Sequence, residues 1–345
     1  MTTTIISHSH CPDGHTAAWI AWHYFTDHGE EVVLHPGIYG SSDAPQPAPD
    51  CTGQDVVILD FSYPPAEMVA LCERAESVTW LDHHASAIDA WRRHLEAGGP
   101  WPMNLKADLD LNRSGALITW DFFVDPDGRH LRDAWWPFHE SRSARHLYDP
   151  LEMREIVERI DARDRWQKNQ DGTWALHGTA EVFAALTSRP YTIEAWDEAF
   201  SLGLDGLIAQ GRPAEQFRQQ IITSVVAFAY QTNVAGHTIH VANVPYSIGS
   251  DVAERLNLLH PDEPFSAYWF TDGSEQKWGL RSRQGLGADV AAIAALFGGG
   301  GHTHAAGFRI PDGALGDGLN PLGPEADFTA DDWVGADKTL GRETT

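Results

Sequence analysis

The chain has 345 residues, of which 42% are hydrophobic and 21% are charged, a composition typical of a folded globular protein. Its 24 basic and 49 acidic residues give a net charge of −25. Nonspecific binding of DNA or RNA depends on Lys and Arg side chains that neutralise many phosphates, so this charge disfavours a protein that coats long nucleic acids. A nucleotide-like substrate would therefore be short and held locally.

The length of the chain limits the number of domains, and its cysteine content indicates the cellular compartment. A chain of this length is long for one domain and sufficient for two. The three cysteines, Cys11, Cys51 and Cys72, are too few and too scattered for a disulfide framework. No apolar run is long enough for a transmembrane helix, and the N-terminus lacks the features of a secretory signal. We therefore expect a cytoplasmic protein.

The first part of the chain alternates short apolar strands with helical segments. Strands are predicted at 4–7, 32–34, 55–60 and 77–81. Helices are predicted after the first strand, through Tyr24, and at 65–75, 111–123 and 151–166. Strands that alternate with helices indicate βαβ units and a parallel sheet covered on both faces.

The second part begins with further helix around 174–218 and a connecting helix that ends near Tyr230. Strands at 238–242, 265–270 and 277–283 follow, then a helix over 289–297 and a strand that resumes at His302. The predicted class is α/β, with a parallel-sheet N-terminal domain and a smaller α/β C-terminal domain. The predicted boundaries are 1–185 for the first domain, 186–232 for a helical connector, 233–311 for the second domain and 312–345 for an acidic flexible tail.

Polar residues follow three of the predicted strands. Asp13, Asp60 and the triplet Asp82-His83-His84 each come after a strand of the first domain. Ligands of open α/β sheets bind outside the carboxyl ends of the strands, so these residues should converge at one edge of the sheet. Nothing structural calls for two imidazoles after an aspartate at a strand end. The triplet therefore predicts a metal or catalytic site.

Two further segments bear on this site. The loop after the first strand holds His8, His10 and Cys11 beside Asp13, a density that suits a divalent ion or a histidine-rich surface loop. Asp161 and Asp164 lie three residues apart, on one face of a predicted helix. From the pattern alone, this helix is read as a solvated face with alternating charge.

Four consecutive glycines, residues 298–301, precede His302 in the second domain. Glycine loses much conformational entropy on folding, so four together indicate a backbone that must approach something closely. Consecutive amides near a helix terminus can form an anion-binding nest. Arg281 and Arg283 alternate along a predicted strand, as a phosphate fork or as exposed edge charges.

In order and context these motifs resemble the DHH phosphoesterase superfamily, in the branch with a C-terminal DHHA1 substrate-binding domain. Asp82-His83-His84 matches the motif that names the family, and the glycine run with Ala305-Ala306-Gly307-Phe308 matches the DHHA1 signature. The resemblance covers residues 4 to about 310. It implies a hydrolase acting on phosphoric ester bonds, similar to oligoribonuclease and cyclic-nucleotide phosphodiesterase members.

The resemblance also implies a role for each site residue. Two divalent ions, Mn²⁺ with Co²⁺ or Mg²⁺ as alternatives, would be held by His8, Asp13, Asp60, His83 and Asp164, with Asp60 bridging them. Asp82 would orient His83, and His84 would face the scissile phosphate. The terminal phosphate or sugar of the substrate would be bound by Arg281, Arg283, Gly300, Gly301 and His302.

The first motif departs from the family pattern His-x-x-x-Asp-x-Asp. Cys11 stands where the first Asp is expected, and His8 lies five residues before Asp13. Either His8 or His10 would complete the first metal site, and a cysteine ligand would favour a softer metal than Mg²⁺. In the fourth motif, the Arg-Asp-x-Trp pattern favours Asp164 over Asp161.

The expected function is metal-dependent hydrolysis of phosphodiester bonds in short oligoribonucleotides or small nucleotides, in the manner of a 3′–5′ exonuclease on very short RNA. A 3′-phosphoadenosine 5′-phosphate phosphatase and a cyclic mononucleotide phosphodiesterase are alternatives that share the metal site. A catalytically silent nucleotide-sensing module is the alternative outside enzymes. The expected partner is the substrate, without long nucleic acid or membrane, and an oligomer is compatible with the sequence.

Overall fold

A computed structural model describes residues 2–39, 45–124, 150–169 and 171–311. The predicted tail at 312–345 lies outside these residues. The chain divides into two compact units, Met1–Glu215 and Gln216–Thr345. None of the described helices combines the length and the hydropathy that crossing a membrane requires.

The first unit is built on a five-stranded sheet in which every neighbouring pair is parallel, as predicted. Its strands are β1 (Thr2–His8), β2 (Glu31–Gly37), β3 (Asp55–Leu59), β4 (Ser77–Asp82) and β5 (Leu105–Leu109). Their order is β2-β1-β3-β4-β5. The sequence analysis missed β5, because only one of its five residues is buried and it carries no apolar run.

Alternating residues of the strands face two different cores. Val57 and Leu59 of β3 belong to one core, whereas Val56 and Ile58 belong to the other. Six helices contribute to the first core: α1 (Pro12–Asp27), α4 (Gly115–Phe123), α5 (Pro150–Asp164), α6 (Thr179–Thr187), α7 (Ile193–Phe200) and the first turns of α8 (Gly203–Val226). Two contribute to the second: α2 (Pro65–Arg74) and α3 (Ala85–Glu96). The sheet is therefore buried on both faces, as apolar parallel strands require.

The second unit contains a six-stranded sheet of order β10-β11-β9-β8-β7-β6. The strands are β6 (Tyr230–Val234), β7 (His237–Asn243), β8 (Ser266–Thr271), β9 (Glu275–Arg281), β10 (Gly300–His302) and β11 (Ala305–Pro311). All neighbours are antiparallel except β7 and β8, which are parallel and are joined through α9 (Tyr246–Leu259). A second α/β unit is thus confirmed.

Helices cover this second sheet. Residues of α10 (Val290–Ala295) and of α9 belong to two separate apolar clusters. The long helix α8 (Gly203–Val226) contains Pro213, and the division between the units falls within it. The sequence analysis missed β6 and α9, although α9 buries Ile248, Val252 and Leu256 at helical spacing.

Two predicted strands of the second unit differ from the structure. The strand predicted over 277–283 ends at Arg281, because the chain then turns and the amides of Leu286 and Gly287 donate to the carbonyl of Arg283. The strand predicted to resume at His302 is two strands, β10 and β11, separated by a turn at residues 303–304.

Candidate metal centre

The polar residues of the first unit meet at the carboxyl ends of β1, β3 and β4. Asp13 lies in the first turn of α1, Asp60 follows β3 directly, and Asp82 is the last residue of β4. In the strand order β2-β1-β3-β4-β5, the direction in which successive strands are added to the sheet reverses between β1 and β3. Ligands of such folds bind at this point. All three aspartates are at most 1% exposed, so their charges need compensation from other groups.

Asp13 is held against the start of α4. Its Oδ1 accepts hydrogen bonds from the hydroxyl of Ser114 (2.5 Å) and the amide of Ala116 (3.1 Å). The N-terminus of a helix carries partial positive charge, which favours a carboxylate there. Its other oxygen, Oδ2, is buried and accepts no hydrogen bond. Asp13 therefore offers an oxygen for which the protein supplies no donor.

Asp60 adopts a backbone φ of 52°, a left-handed conformation that is rare for residues other than glycine. Such a conformation costs about 1–3 kcal/mol and is concentrated at functional sites. Oδ1 of Asp60 lies 3.0 Å from Nε2 of His83. Its Oδ2 lies 3.4 Å from Nδ1 of His8, a longer contact in which it accepts no hydrogen bond by geometry. The two oxygens thus face different imidazoles.

Two glycines permit the carboxylates to approach. A Cβ atom added at Gly115 would lie 2.5 Å from Cβ of Asp60 and 3.0 Å from Oδ2 of Asp13. A Cβ atom added at Gly14 would lie 2.7 Å from the carbonyl oxygen of His8 and 3.0 Å from Oδ2 of Asp60. Real Cβ atoms do not tolerate the shortest of these contacts, so both positions require glycine.

The two histidines of the triplet have separate partners. Nδ1 of His84 lies 2.7 Å from Oδ1 of Asp82, whereas the ring of His83 contacts Asp60 and, at 3.4 Å, Oδ2 of Asp164. The expectation that Asp82 orients the ring of His83 is therefore wrong. In extended backbone residues two apart point to the same side, which pairs Asp82 with His84. His83 contacts Asp82 through its backbone amide, which donates a hydrogen bond, and not through its ring.

Asp82 is anchored in turn by the core. The hydroxyl of Ser62 donates to its Oδ2, and the indole of the fully buried Trp80 donates to that hydroxyl at 3.1 Å. A chain of hydrogen bonds therefore runs from the core through Ser62 and Asp82 to the ring of His84. Such support fixes the orientation and tautomer of an imidazole.

Asp161 and Asp164 serve different purposes. Oδ1 of Asp161 accepts the amide of Ser114 at 2.7 Å, and its carboxylate also pairs with Arg165 and Gln167. Asp161 therefore accepts a hydrogen bond from the backbone at the start of α4, and both of its carboxylate oxygens have hydrogen-bond donors. Asp164 instead lies next to His83. The geometry favours Asp164 as the ligand, in agreement with the prediction from the fourth motif.

The carboxylates perturb one another. Burial and the charge of Asp60 raise the pKa of Asp13 and of Asp164 above the usual carboxyl value. Burial acts in the same direction on Asp60, but its contacts with His8 and His83 hold its pKa below the usual range. Asp13 and Asp164 thus lie closer to the ionised Asp60 than their own ionised forms favour.

The imidazoles respond in the opposite sense. Burial acts against a charge on His83, yet Asp60 and Asp164 raise its pKa to about 11. Burial also opposes a charge on His84, but its contact with Asp82 raises its pKa to about 9. Without a bound cation, the two imidazoles are therefore the positive charges opposite the carboxylates, and a metal ion held by His83 would have to displace its proton.

The described donors of this site form three groups of metal-ligand size. The first consists of His8, Cys11 and Asp60, the second of Asp13, His83 and Asp164, and the third of Asp60, Asp82, His83 and His84. Asp60 links the first two groups, because its Oδ1 contacts His83 of the second. Within each group the ligand atoms lie within 4.8 Å of one another. Imidazole and carboxylate are common ligands of divalent transition ions. Together with the unpaired oxygens of Asp13 and Asp60, this donor set fits divalent metal ions.

His10, the alternative to His8, is placed elsewhere. Its ring packs edge-on against Tyr191, with ring centroids 5.7 Å apart, and it belongs to none of the groups of metal-binding size found among the described residues. His8 is therefore the histidine that the structure brings to the first group.

The predicted substrate-binding residues of the second unit lie at one edge of its sheet. Arg281 pairs with Ala305, which pairs with His302, so the three occupy one row across β9, β11 and β10. The guanidinium of Arg281 donates to the hydroxyl of Ser250 at 2.7 Å. Arg283 lies beyond the strand and donates to the carbonyl of Pro261, so the two arginines do not alternate along one strand as expected.

Most of the glycine run has a structural explanation. The amides of Gly298 and Gly299 donate to carbonyls of α10 and close the C-terminal turn of this helix. A Cβ atom at Gly299 would lie 2.1 Å from the carbonyl oxygen of Gly307, and one at Gly301 would lie 2.6 Å from that of Ala305. The run therefore follows a helix C-terminus, whose partial negative charge does not attract an anion. Gly300 is exposed and has open space around it.

Sequence reasoning missed the residues that support the site. Ser62, Ser114 and Gly115 belong to no motif, and Asp161 was interpreted only as a ligand or as part of a solvated helix face. Their roles depend on contacts between segments about 20 to 100 residues apart in the chain. The one local signal is Ser114, a serine directly before α4, since serine is common at the N-terminal end of helices.

No model of a known protein family matches the chain. An uncharacterised protein of Acanthamoeba polyphaga mimivirus is 25% identical over 323 residues, which cover 89% of this chain and 67% of that protein. The pGpG-specific phosphodiesterase PggH of Vibrio cholerae aligns with 99% of this chain and 97% of its own, at 11% identity and a TM-score of 0.49. An exopolyphosphatase-related protein of Bacteroides fragilis aligns with 98% of this chain and 90% of its own, at 12% identity and a TM-score of 0.44.

We expect Gly115→Ala to destabilise the first unit, because its methyl group would overlap the side chain of Asp60. Overpacking of this kind costs about 1–3 kcal/mol. The free energy of unfolding in urea measures it. Gly300→Ala, whose methyl group meets nothing, is the control and should change that free energy by less than about 0.5 kcal/mol. Equal losses in both variants would contradict the steric role of Gly115.

Asp161→Ala and Asp164→Ala should have different effects. The first leaves the buried amide of Ser114 without an acceptor and should cost about 1–3 kcal/mol of stability. The second removes a carboxylate whose pKa burial raises, so the melting temperature of the metal-depleted protein should fall less than that of Asp161→Ala. Added Mn²⁺ should raise the melting temperature of Asp161→Ala and not that of Asp164→Ala. The reverse pattern in calorimetry would make Asp161 the ligand.

Proposed function

We propose that the chain is a metal-dependent phosphodiesterase that acts on short oligoribonucleotides or small nucleotides. The observation that carries the proposal is the pair of ligand groups that Asp60 links, as a member of the first and through its contact with His83 of the second, with His84 held beside them by Asp82. Two divalent ions at such a site neutralise phosphate charge and activate water. The ligands would be His8 and Asp60 on one side, and Asp13, Asp60, His83 and Asp164 on the other.

His84 is the proposed catalytic residue of the chain itself. Its Nδ1 is engaged with Asp82, so Nε2 is the ring atom left to contact a substrate. The contact with Asp82 raises the pKa of His84 and so favours the protonated ring, from which Nε2 can donate a hydrogen bond to a phosphate oxygen. Asp82 acts through His84 as a positioning residue, in the way a buried carboxylate orients an imidazole in other hydrolases.

The proposed substrate is short because the protein is strongly acidic. With a net charge of −25, it offers little to a long polyanion. Contacts with the far end of a small nucleotide would come from Arg281, Arg283, Gly300, Gly301 and His302, as the family resemblance implies. The exposure of Gly300, Gly301 and His302 is compatible with this role.

Asp60→Ala should abolish manganese-dependent hydrolysis of the dinucleotide pApA, because the first ligand group loses a member and His83 of the second loses its carboxylate contact. A fall in kcat/KM of more than about 100-fold is expected. Asp89→Asn, which changes an exposed carboxylate of α3 paired with Arg92, is the matched control and should keep full activity. Retained hydrolysis in Asp60→Ala would refute the mechanism.

Asp82→Asn should lower kcat by about 10- to 100-fold, because His84 would lose its charged partner. Binding of Mn²⁺, measured by calorimetry, should change much less, since the ring that Asp82 contacts belongs to His84, which is not a proposed ligand. A loss of Mn²⁺ binding as large as the loss of kcat would instead place Asp82 among the ligands.

The substrate is decided by comparing turnover of pApA, 3′-phosphoadenosine 5′-phosphate and cyclic AMP in one assay. Preference for the dinucleotide supports the leading proposal, and preference for either of the others supports the corresponding alternative. Tight nucleotide binding without hydrolysis in Mn²⁺, Co²⁺ and Mg²⁺ would identify a sensing module.

A further inference from the structure

We infer that Cys11 is a ligand of the first metal site and that it gives this site a preference for a borderline-soft ion, Co²⁺ or Zn²⁺, over Mn²⁺ and Mg²⁺. The inference rests on the proposed metal-dependent function and deepens it. It makes the two metal sites chemically unequal, with a sulfur ligand in the first alone.

The position of Cys11 supports this role. Its thiol lies with a ring nitrogen of His8 and a carboxylate oxygen of Asp60 in a group whose atoms are all within 4.8 Å of one another. The other two cysteines, Cys51 and Cys72, are buried in the apolar core on the opposite face of the sheet. Cys11 is thus the cysteine that the fold turns toward the acidic site.

An independent observation comes from Asp60. Its side chain is 1% exposed, and Oδ2 accepts no hydrogen bond. This oxygen is the one that faces His8, whereas Oδ1 faces His83 of the second group. Leaving a buried carboxylate oxygen unpaired is costly. The unpaired atom therefore lies on the side of the site where Cys11 and His8 stand.

The surroundings of Cys11 argue against other uses of the thiol. Reactive cysteines lie in electropositive environments that stabilise the thiolate. Cys11 instead lies beside a carboxylate oxygen of Asp60, in a group that contains no Lys or Arg, so a nucleophilic or redox role does not fit.

The two donor sets have different chemical character. The first combines imidazole, sulfur and carboxylate, a mixture that favours Zn²⁺ and Co²⁺. The second combines one imidazole with the carboxylates of Asp13, Asp60 and Asp164, which are hard oxygen ligands. When both are filled, the first site should retain Co²⁺ or Zn²⁺ while the second exchanges with Mn²⁺.

Titration of the metal-depleted full-length protein with Co²⁺ tests the ligand directly. Cysteine sulfur bound to Co²⁺ gives an intense charge-transfer band in the near ultraviolet, which oxygen and nitrogen ligands do not give. The band should be present in the wild type and absent in Cys11→Ser and Cys11→Asp. Cys51→Ser and Cys72→Ser are matched controls and should keep it. A band that persists in Cys11→Ser overturns the inference.

Selectivity is measured by dialysis against equimolar Co²⁺ and Mn²⁺, followed by determination of the bound metals. Cys11→Asp should shift the ratio of bound Co²⁺ to Mn²⁺ toward Mn²⁺ by at least about tenfold. An unchanged ratio contradicts the inference. Because Cys11→Asp supplies an oxygen ligand in the same place, it separates loss of sulfur from loss of the site, and circular dichroism confirms that each variant is folded.

Failure of the proposed function has a different signature. A wild-type band without hydrolysis of any nucleotide would leave the sulfur ligand standing and remove the phosphodiesterase. Hydrolysis without a band would leave the enzyme standing and remove Cys11 as a ligand.

Discussion

The close approach of the buried carboxylates of Asp13 and Asp60 is the constraint on which the site depends. Their nearness is made possible by Gly14 and Gly115, which leave no Cβ between them. Two like charges withdrawn from water cost several kcal/mol each unless they are paired. The protein supplies the hydroxyl of Ser114, the start of α4 and two imidazoles, yet one oxygen of each carboxylate has no donor. A cation is the partner that such oxygens lack.

The aspartates of this site have two different roles, as hydrogen-bonded supports or as candidate ligands, and their geometry decides which role each has. Asp161 and Asp164 share a helix and a spacing of three, but the first is used up by the amide of Ser114 and the second lies beside His83. Asp82, at the end of β4, is satisfied by Ser62 and His84, whereas Asp60, at the end of the neighbouring strand, keeps an unpaired oxygen. Satisfied carboxylates build the site, and unsatisfied ones are available to a ligand.

The parallel sheet and the convergence of Asp13, Asp60 and the triplet Asp82-His83-His84 were predictable, because apolar strands, strand ends and turn residues are local signals. The supporting residues were not, since Ser62 and Ser114 act through contacts that only the folded chain creates. The edge strand β5 was missed for lack of an apolar run. The glycine run was read as a phosphate nest, but its conformation follows in large part from close packing on β11, which no sequence pattern announces.

Cys11 shows how a local preference can be given up at a site. It occupies the position before α1 where Asp, Asn or Ser would cap the helix, and its side chain makes no capping hydrogen bond. The missing cap forgoes about 1 kcal/mol of helix stability. Sequences that break a local rule tend to do so where function requires it. An aspartate would provide both the cap and a hard ligand, so the thiol is best explained by what sulfur alone offers, a preference among metals.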